Sequence, residues 1–379
     1  MGAVGYGGRA ALGGGHQTRR REVSAARSEV AGLLNGSERF LAACARQPVD
    51  RTPVWMMRQA GRYLPEYRAV REKVDFLTLC KTPNLAAEVS LQPIDRFGMD
   101  ACVIFSDILI PVEAMGAPVS FGDGGPKLDR PVRSVADVSR LRVADPAEGM
   151  PFALESLRLV RAALAGRAAL VGFVGAPFTL ASYLIEGGGS KSFAVTKQLL
   201  YADPTLMELL LAKLALTISA YAVAQVAAGA QAIQVFDTWA GELSPAAYAT
   251  FAAPYQADVI AAVKRAGAPA ILFVNGCAGK LDSMVRAAPD VLSVDWRLDL
   301  ASVRAGVGDG FALQGNVDPG VLLATPQAVT DVTHAAMASA GPLGHILNLG
   351  HGILPPTPIE CAQAFVDAPQ SYNPLSWPR

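Results

Sequence analysis

Eight short apolar runs recur along this chain, each closed by a polar or glycine-rich turn and followed by a stretch of helical character. They cover residues 54–57, 101–105, 169–174, 232–236, 270–274, 291–294, 311–314 and 346–349. Most show no polar alternation, so neither face of the run is suited to water. That pattern fits parallel strands covered on both sides. Helical segments are read at 84–97, 151–165, 204–228, 245–266, 279–288, 301–307, 326–340 and 358–367. Several open at proline or just after Ser, Thr or Asp, which are helix-start signals. Eight strands alternating with helices predict an α/β fold, a single (β/α)8 TIM barrel, and 379 residues are enough to build one. The runner-up, an open doubly wound sheet, usually has fewer strands.

Two segments interrupt the alternation. Residues 111–133 contain Gly116, Gly122, Gly124 and Gly125 and read as an inserted hairpin; residues 186–192, EGGGSKS, read as a flexible loop. No linker divides the core, so the barrel is expected over residues 36–379. The first 35 residues are rich in Gly, Ala and Arg and carry Arg19-Arg20-Arg21 without an apolar core. They are read as a disordered N-terminal extension. An upstream start codon or a transit peptide would give the same composition.

Charge and cysteine content narrow the function classes. Thirty-three basic residues balance thirty-three acidic ones, which disfavours a general nucleic-acid binder but permits a local cationic pocket. Five widely spaced cysteines, Cys44, Cys80, Cys102, Cys277 and Cys361, form no zinc or redox motif. Reduced thiols in a cytoplasmic protein are the expectation. The most apolar stretch, residues 209–232, is interrupted by Lys213, Gln225 and Gln231 and reads as a buried barrel helix, with no membrane partner.

Active sites of such barrels gather where the strands end. The first strand leads into Arg58, Gln59 and Arg62 within PVWMMRQAGRY, the second into Ser106 and Asp107, and the third into Gly175-Ala176-Pro177 with Tyr183 beyond. Asp237 and Thr238 follow the fourth, Asn275 the fifth, Asp295 the sixth, Gly315 and Asn316 the seventh, and Gly350 and His351 the eighth. Polar groups from many strands are therefore expected in one pocket. Arg58 and Arg62 flank Ala60-Gly61, a turn small enough for backbone to approach a ligand. Guanidinium forks bind carboxylates and stay charged in a dry pocket, although on spacing alone structural ion pairing is the commoner arrangement. Asp107 suits N–H donors or a developing cation, or else an ordinary helix cap. His351 is either a donor to substrate oxygen or a satisfied loop histidine. Tyr183 and Thr238 carry little signal alone.

Other motifs fail. EGGGSKS has Ser190 before Lys191 where a phosphate loop needs glycine, and no strand ends just before it. No H-E-x-x-H is present, and no G-x-G-x-x-G follows a strand. Neither Lys191 nor Lys280 stands directly at a strand end as a Schiff-base lysine would.

At PVWMMRQAGRYLPEYR the residues become specific. This segment closely resembles the N-terminal signature of the uroporphyrinogen decarboxylase family. FSDILIP, GFVGAPFTLASYLIEGG, FDTWAG, LQGNVDP and LNLGHGILPPTP agree in order, so the likeness runs from about Glu38 to Phe365. The resemblance implies a (β/α)8 barrel, a homodimer, no cofactor and no metal. It also implies cofactor-free decarboxylation of the four acetate side chains of uroporphyrinogen III. By motif it assigns substrate binding to Arg58, Gln59, Ala60, Gly61, Arg62, Asp107, Tyr183, Thr238 and His351, with Asp107 facing the pyrrole N–H groups. Catalytic roles are expected for Asp107 and for Arg58, the candidate proton donor; His351 or a water are alternatives.

Two rivals set the comparison. A methyltransferase on the same barrel needs zinc held by His and Cys at strand ends, whereas the fifth strand here leads into Asn275-Gly276-Cys277 without the histidine. A tetrapyrrole carrier would keep the arginines but has no need of Asp107.

Overall fold

The computed structural model describes residues 33–122 and 124–372. The extension proposed for residues 1–35 lies almost wholly outside them. Asn35 already caps the first helix, Gly36–Cys44: its side chain accepts from Glu38 N while Glu38 returns a bond to Asn35 N.

Among the described residues, seven parallel strands form one curled sheet in chain order: β1 (Ala101–Val103), β4 (Ala169–Gly175), β5 (Ala232–Asp237), β6 (Ala270–Val274), β7 (Val291–Val294), β8 (Ala312–Val317) and β9 (His345–Leu349). The remaining two, β2 (Val119–Gly122) and β3 (Gly125–Leu128), make the antiparallel hairpin expected within residues 111–133. It is not free-standing. Lys127 bridges to Gly188 and Leu128 N donates to Gly187 O, so the EGGG loop is tied to the hairpin.

The first expected strand, residues 54–57, is corrected by the structure: it makes one ladder bridge, Val54 to Leu347, and is not a full strand. The physical reason is competition from side chains. Val54 N donates to Asp100 Oδ2 (2.9 Å), Met56 N to Gln59 Oε1 (3.2 Å) and Met57 N to Asn348 Oδ1 (2.9 Å). The segment nonetheless closes the barrel. Leu347 N donates to Pro53 O, Trp55 N to Leu347 O, and Asp100 N to Val54 O, so it stands between β9 and β1.

The strands alternate in burial partner rather than in polarity. Ala169, Val171, Ala232, Ile271, Phe273, Val291, Ala312 and Ile346 pack in the barrel interior with Trp55 and Met57. Their neighbours Leu170, Ile233, Leu272, Leu292, Leu313 and Leu347 pack outward in the larger cluster with the helices. Both faces are dry, hence the continuous apolar runs. The helix Gly36–Cys44 adds Phe40, Ala43 and Cys44 to the interior cluster.

Most outer helices fall as expected, including Pro83–Phe97, Pro151–Leu164, Pro204–Ala227 and Pro326–Ala340. Residues 245–266 are instead two helices, Pro245–Phe251 and Ala253–Arg265. Pro254 has no N–H to continue the ladder, and its ring crowds the preceding turn. The helix Pro204–Ala227 is long and apolar enough to cross a membrane, yet it buries Leu206, Leu210, Leu214, Ile218 and Tyr221 against the barrel.

Candidate active site

All nine residues singled out in the sequence line one cavity of about 590 Å³ at the carboxyl ends of the strands. Five chain segments deliver them. Arg58 to Arg62 follow the barrel-closing segment and Asp107 follows β1. Tyr183 stands on the helix Pro177–Glu186 after β4, Thr238 follows β5, and His351 follows β9. The volume suits a small-molecule site.

The two arginines carry the positive charge. Among the described residues neither forms an ion pair with a carboxylate, so the structural pairing that their spacing favours is not realised. Arg58 adopts a left-handed backbone, φ 64°, that turns the chain sharply into Gln59-Ala60-Gly61. Its stem crosses Gly352, where a Cβ would fall 2.3 Å from Arg58 Cδ. The second glycine of the LGHG element thus makes room for the guanidinium.

Gln59 borders the cavity but turns its amide toward the protein. It is 1% exposed, donates to Ala101 O at 3.0 Å and accepts from Met56 N. Its side chain holds the Arg58–Arg62 turn on β1.

Asp107 is half-buried, and its Oδ1 accepts from Leu109 N at 2.8 Å. Burial pushes its carboxyl up to about 6, against the opposing pull of the Leu109 hydrogen bond and the Arg58 charge. Tyr183 is raised first by burial and then by the Asp107 charge, so the phenol stays protonated at neutral pH. His351 packs edge-on to Phe273 and Trp296, with ring centroids 6.1 and 6.3 Å away. Burial, then Arg58, lowers it to about 4, which leaves a neutral imidazole at pH 7.

The expectation that strand-end polar groups converge is corrected for the later strands. Gly315 and Asn316 lie within β8 rather than after it. Asn316 Nδ2 donates to Asp295 O, and Asp295 Oδ2 accepts from Gly276 N and Cys277 N. Asn275 Oδ1 accepts from Arg297. These groups brace loops and do not line the cavity: Asp295 accepts backbone N–H groups, Asn316 donates to backbone carbonyls, and Asn275 holds the Arg297 guanidinium, so the polar groups of these loops take the side chains that would otherwise be free to face a ligand.

Sequence reasoning missed the aromatic wall. Phe76, Phe105, Phe121 and Tyr67 line the cavity, with Phe76–Phe121 centroids 4.9 Å apart and Phe76–Phe105 5.9 Å. Phe173 and Phe236 on adjacent strands line it as well. Phe76 and Phe121 sit on a helix and on the hairpin, outside any strand-end search; only the apolar character of the hairpin face hinted at them.

Residues 35–372 match the family model described as uroporphyrinogen decarboxylase (URO-D). The chain belongs to the uroporphyrinogen decarboxylase family. A uroporphyrinogen decarboxylase of Geobacter metallireducens is 50% identical over 332 residues, covering 87% of this chain and 97% of its own. That of Myxococcus xanthus is 48% identical over 332 residues, covering 88% and 95%. The cavity of this chain combines a cationic edge, the Asp107 carboxylate and an aromatic wall. Among solved structures, a methyltransferase from Methanosarcina mazei superposes with TM-score 0.76 at 23% identity, covering 89% of this chain and 98% of its own. That likeness is one of fold. Among the described residues no three His, Cys, Asp or Glu side chains gather as a metal site, and the buried Cys277 thiol faces Asp295 at 3.5 Å.

Proposed function

We infer that this chain removes the four acetate carboxylates of uroporphyrinogen III as CO2, leaving methyl groups, in porphyrin and heme biosynthesis. Family membership supports the reaction. The placement of Asp107 in one cavity with two arginines that have no carboxylate partner among the described residues carries the mechanism. A macrocycle bearing eight carboxylates needs cationic recognition, which Arg58 and Arg62 supply as bidentate forks. Tyr183, Thr238 and His351 add hydrogen-bonding groups, and the aromatic wall takes the apolar ring faces.

Loss of CO2 from an acetate needs an electron sink. Protonation of the adjacent pyrrole carbon creates one: the C–C bonding pair moves into the cationic ring, CO2 departs, and an exocyclic methylene remains. Protonation of that methylene and loss of the ring proton restore the pyrrole and give the methyl. Asp107 as a carboxylate accepts from the pyrrole N–H groups and stabilises the cation in a site of low polarity. Arg58 is the proposed proton donor. His351, neutral at pH 7, holds no imidazolium proton to give and serves as a hydrogen-bond partner. A homodimer in the cytoplasm belongs to the same reading; kinship supports the dimer, and five free, buried cysteines suit a reducing compartment.

The test is anaerobic incubation of purified protein with enzymatically made uroporphyrinogen III, in EDTA and without added cofactor. Stepwise appearance of seven-, six-, five- and four-carboxylate porphyrins is expected. Survival of the eight-carboxylate species alone, with folded protein, would overturn the assignment; binding without CO2 release would favour a carrier.

A further inference from the structure

Behind the cavity wall lies a buried hydrogen-bond network whose members do not line the cavity. Asp237, the last residue of β5, is fully buried. Its Oδ1 accepts from Thr179 Oγ1 at 2.6 Å and its Oδ2 from Gln256 Nε2 at 2.6 Å. Thr179 Oγ1 in turn accepts from Trp239 N at 3.1 Å, and Gln256 Oε1 accepts from Tyr248 OH at 2.6 Å. All four side chains are buried, and no lysine or arginine pairs with Asp237 among the described residues. Burying a carboxylate among neutral donors is costly unless every oxygen is matched, as here.

The network joins two parts of the site. Thr179 lies one helical turn before Tyr183 on the helix Pro177–Glu186, and Trp239 directly follows Thr238. The Tyr183 and Trp239 rings pack at 5.9 Å and 58°. An asparagine at 237 would present its amide to one of two groups that already donate, so the carboxylate is matched to this role in a way the amide is not.

We propose that Asp237 and Thr179 are positioning residues: their hydrogen bond to each other, and that of Trp239 N to Thr179, fix Tyr183 against Trp239 and so relative to the adjacent Thr238, and thereby fix the pose of the reacting pyrrole. This rests on the decarboxylase reading above. Thr179→Val removes the hydroxyl at nearly constant volume, and Thr179→Ser retains it. Thr179→Val is expected to lower kcat on the order of 10- to 100-fold, the scale of a small misplacement of substrate, with KM changed less than about threefold. Thr179→Ser is expected to recover most of kcat.

A double-mutant cycle with Tyr183→Phe separates positioning from general stability. The Thr179→Val loss should largely vanish in the Tyr183→Phe background. Persistence of the full loss there would overturn the proposal, as would wild-type kcat in folded Thr179→Val. If Thr179→Val does not fold, Asp237→Asn takes its place in the same cycle with the same two outcomes. Wild-type protein that releases no CO2 would sink the decarboxylase reading and this proposal with it, whereas active wild type with an additive cycle sinks the proposal alone.

Discussion

Arg58 lies across Gly352: a Cβ added to that glycine would stand 2.3 Å from Arg58 Cδ and 2.8 Å from Cγ. The glycine is not needed for an unusual backbone angle, since its φ is not in the left-handed region. Its missing side chain makes room for the arginine.

Gly352→Ala should therefore act through Arg58. Activity is expected to fall on the order of 100-fold if Arg58 has the role proposed above, the scale of a small misplacement at the reacting centre, while the unfolding midpoint in urea changes little. Unchanged kcat/KM in the variant would show that Arg58 is free to relocate without consequence.

Arg62 has no carboxylate partner among the described residues and is exposed at the cavity edge. Arg62→Ala should leave stability within about 0.5 kcal/mol, as for an unpaired surface group. It should raise KM for uroporphyrinogen on the order of tenfold or more, the scale of a lost charge-assisted hydrogen bond. Loss of stability with unchanged KM would return Arg62 to a structural role.

In the role proposed for it, facing a cationic pyrrole, the Asp107 carboxyl, raised to about 6 by burial, acts in its ionised form. kcat/KM should fall below about pH 6, and a flat profile from pH 5 to 7 would contradict this. The linkage has the opposite sign to that of a salt-bridged aspartate. The folded state binds the proton more tightly than the unfolded chain, so the carboxylate destabilises the fold above pH 6 and costs nothing below about pH 4. Asp107→Asn should abolish activity, raise the unfolding midpoint at pH 8, and leave it nearly unchanged at pH 4.

His351, lowered to about 4 by burial and by Arg58, should stay neutral through the working range. Its ring carbon proton shifts, followed by NMR, should not titrate between pH 5.5 and 8. A midpoint near pH 6.5 would restore His351 as an acid.

Asp100 supports the amino end of the barrel rather than the chemistry. It is 1% exposed and accepts from Arg39 (2.7 Å), Arg51 (2.6 Å) and Val54 N (2.9 Å). Asp100→Ala leaves the buried Arg39 short of a partner and should cost on the order of 3–5 kcal/mol in denaturant unfolding. Folded protein should keep near-normal kcat; a large kcat loss in fully folded variant would mean that the closing segment transmits to Arg58.

The sequence by itself determined the parallel barrel, because most of its eight apolar runs show no polar alternation and a covered parallel sheet buries both sides. It also determined the cavity's polar lining, because RQAGR, Asp107, Tyr183, Thr238 and His351 stand where the chain leaves that sheet. Tertiary structure alone decided the rest. Residues 54–57 became a single bridge because the side chains of Asp100, Gln59 and Asn348 took their N–H groups. Asp295 and Asn316 became loop braces while Asp107 kept one oxygen without a donor among the described residues, a difference set by which backbone N–H and C=O groups lie nearby. The pairing of Phe76 with Phe121, and the exchange between Asp237 and Thr179, join residues 45 and 58 positions apart. No local pattern encodes such contacts, because they arise only where separate elements pack against one another.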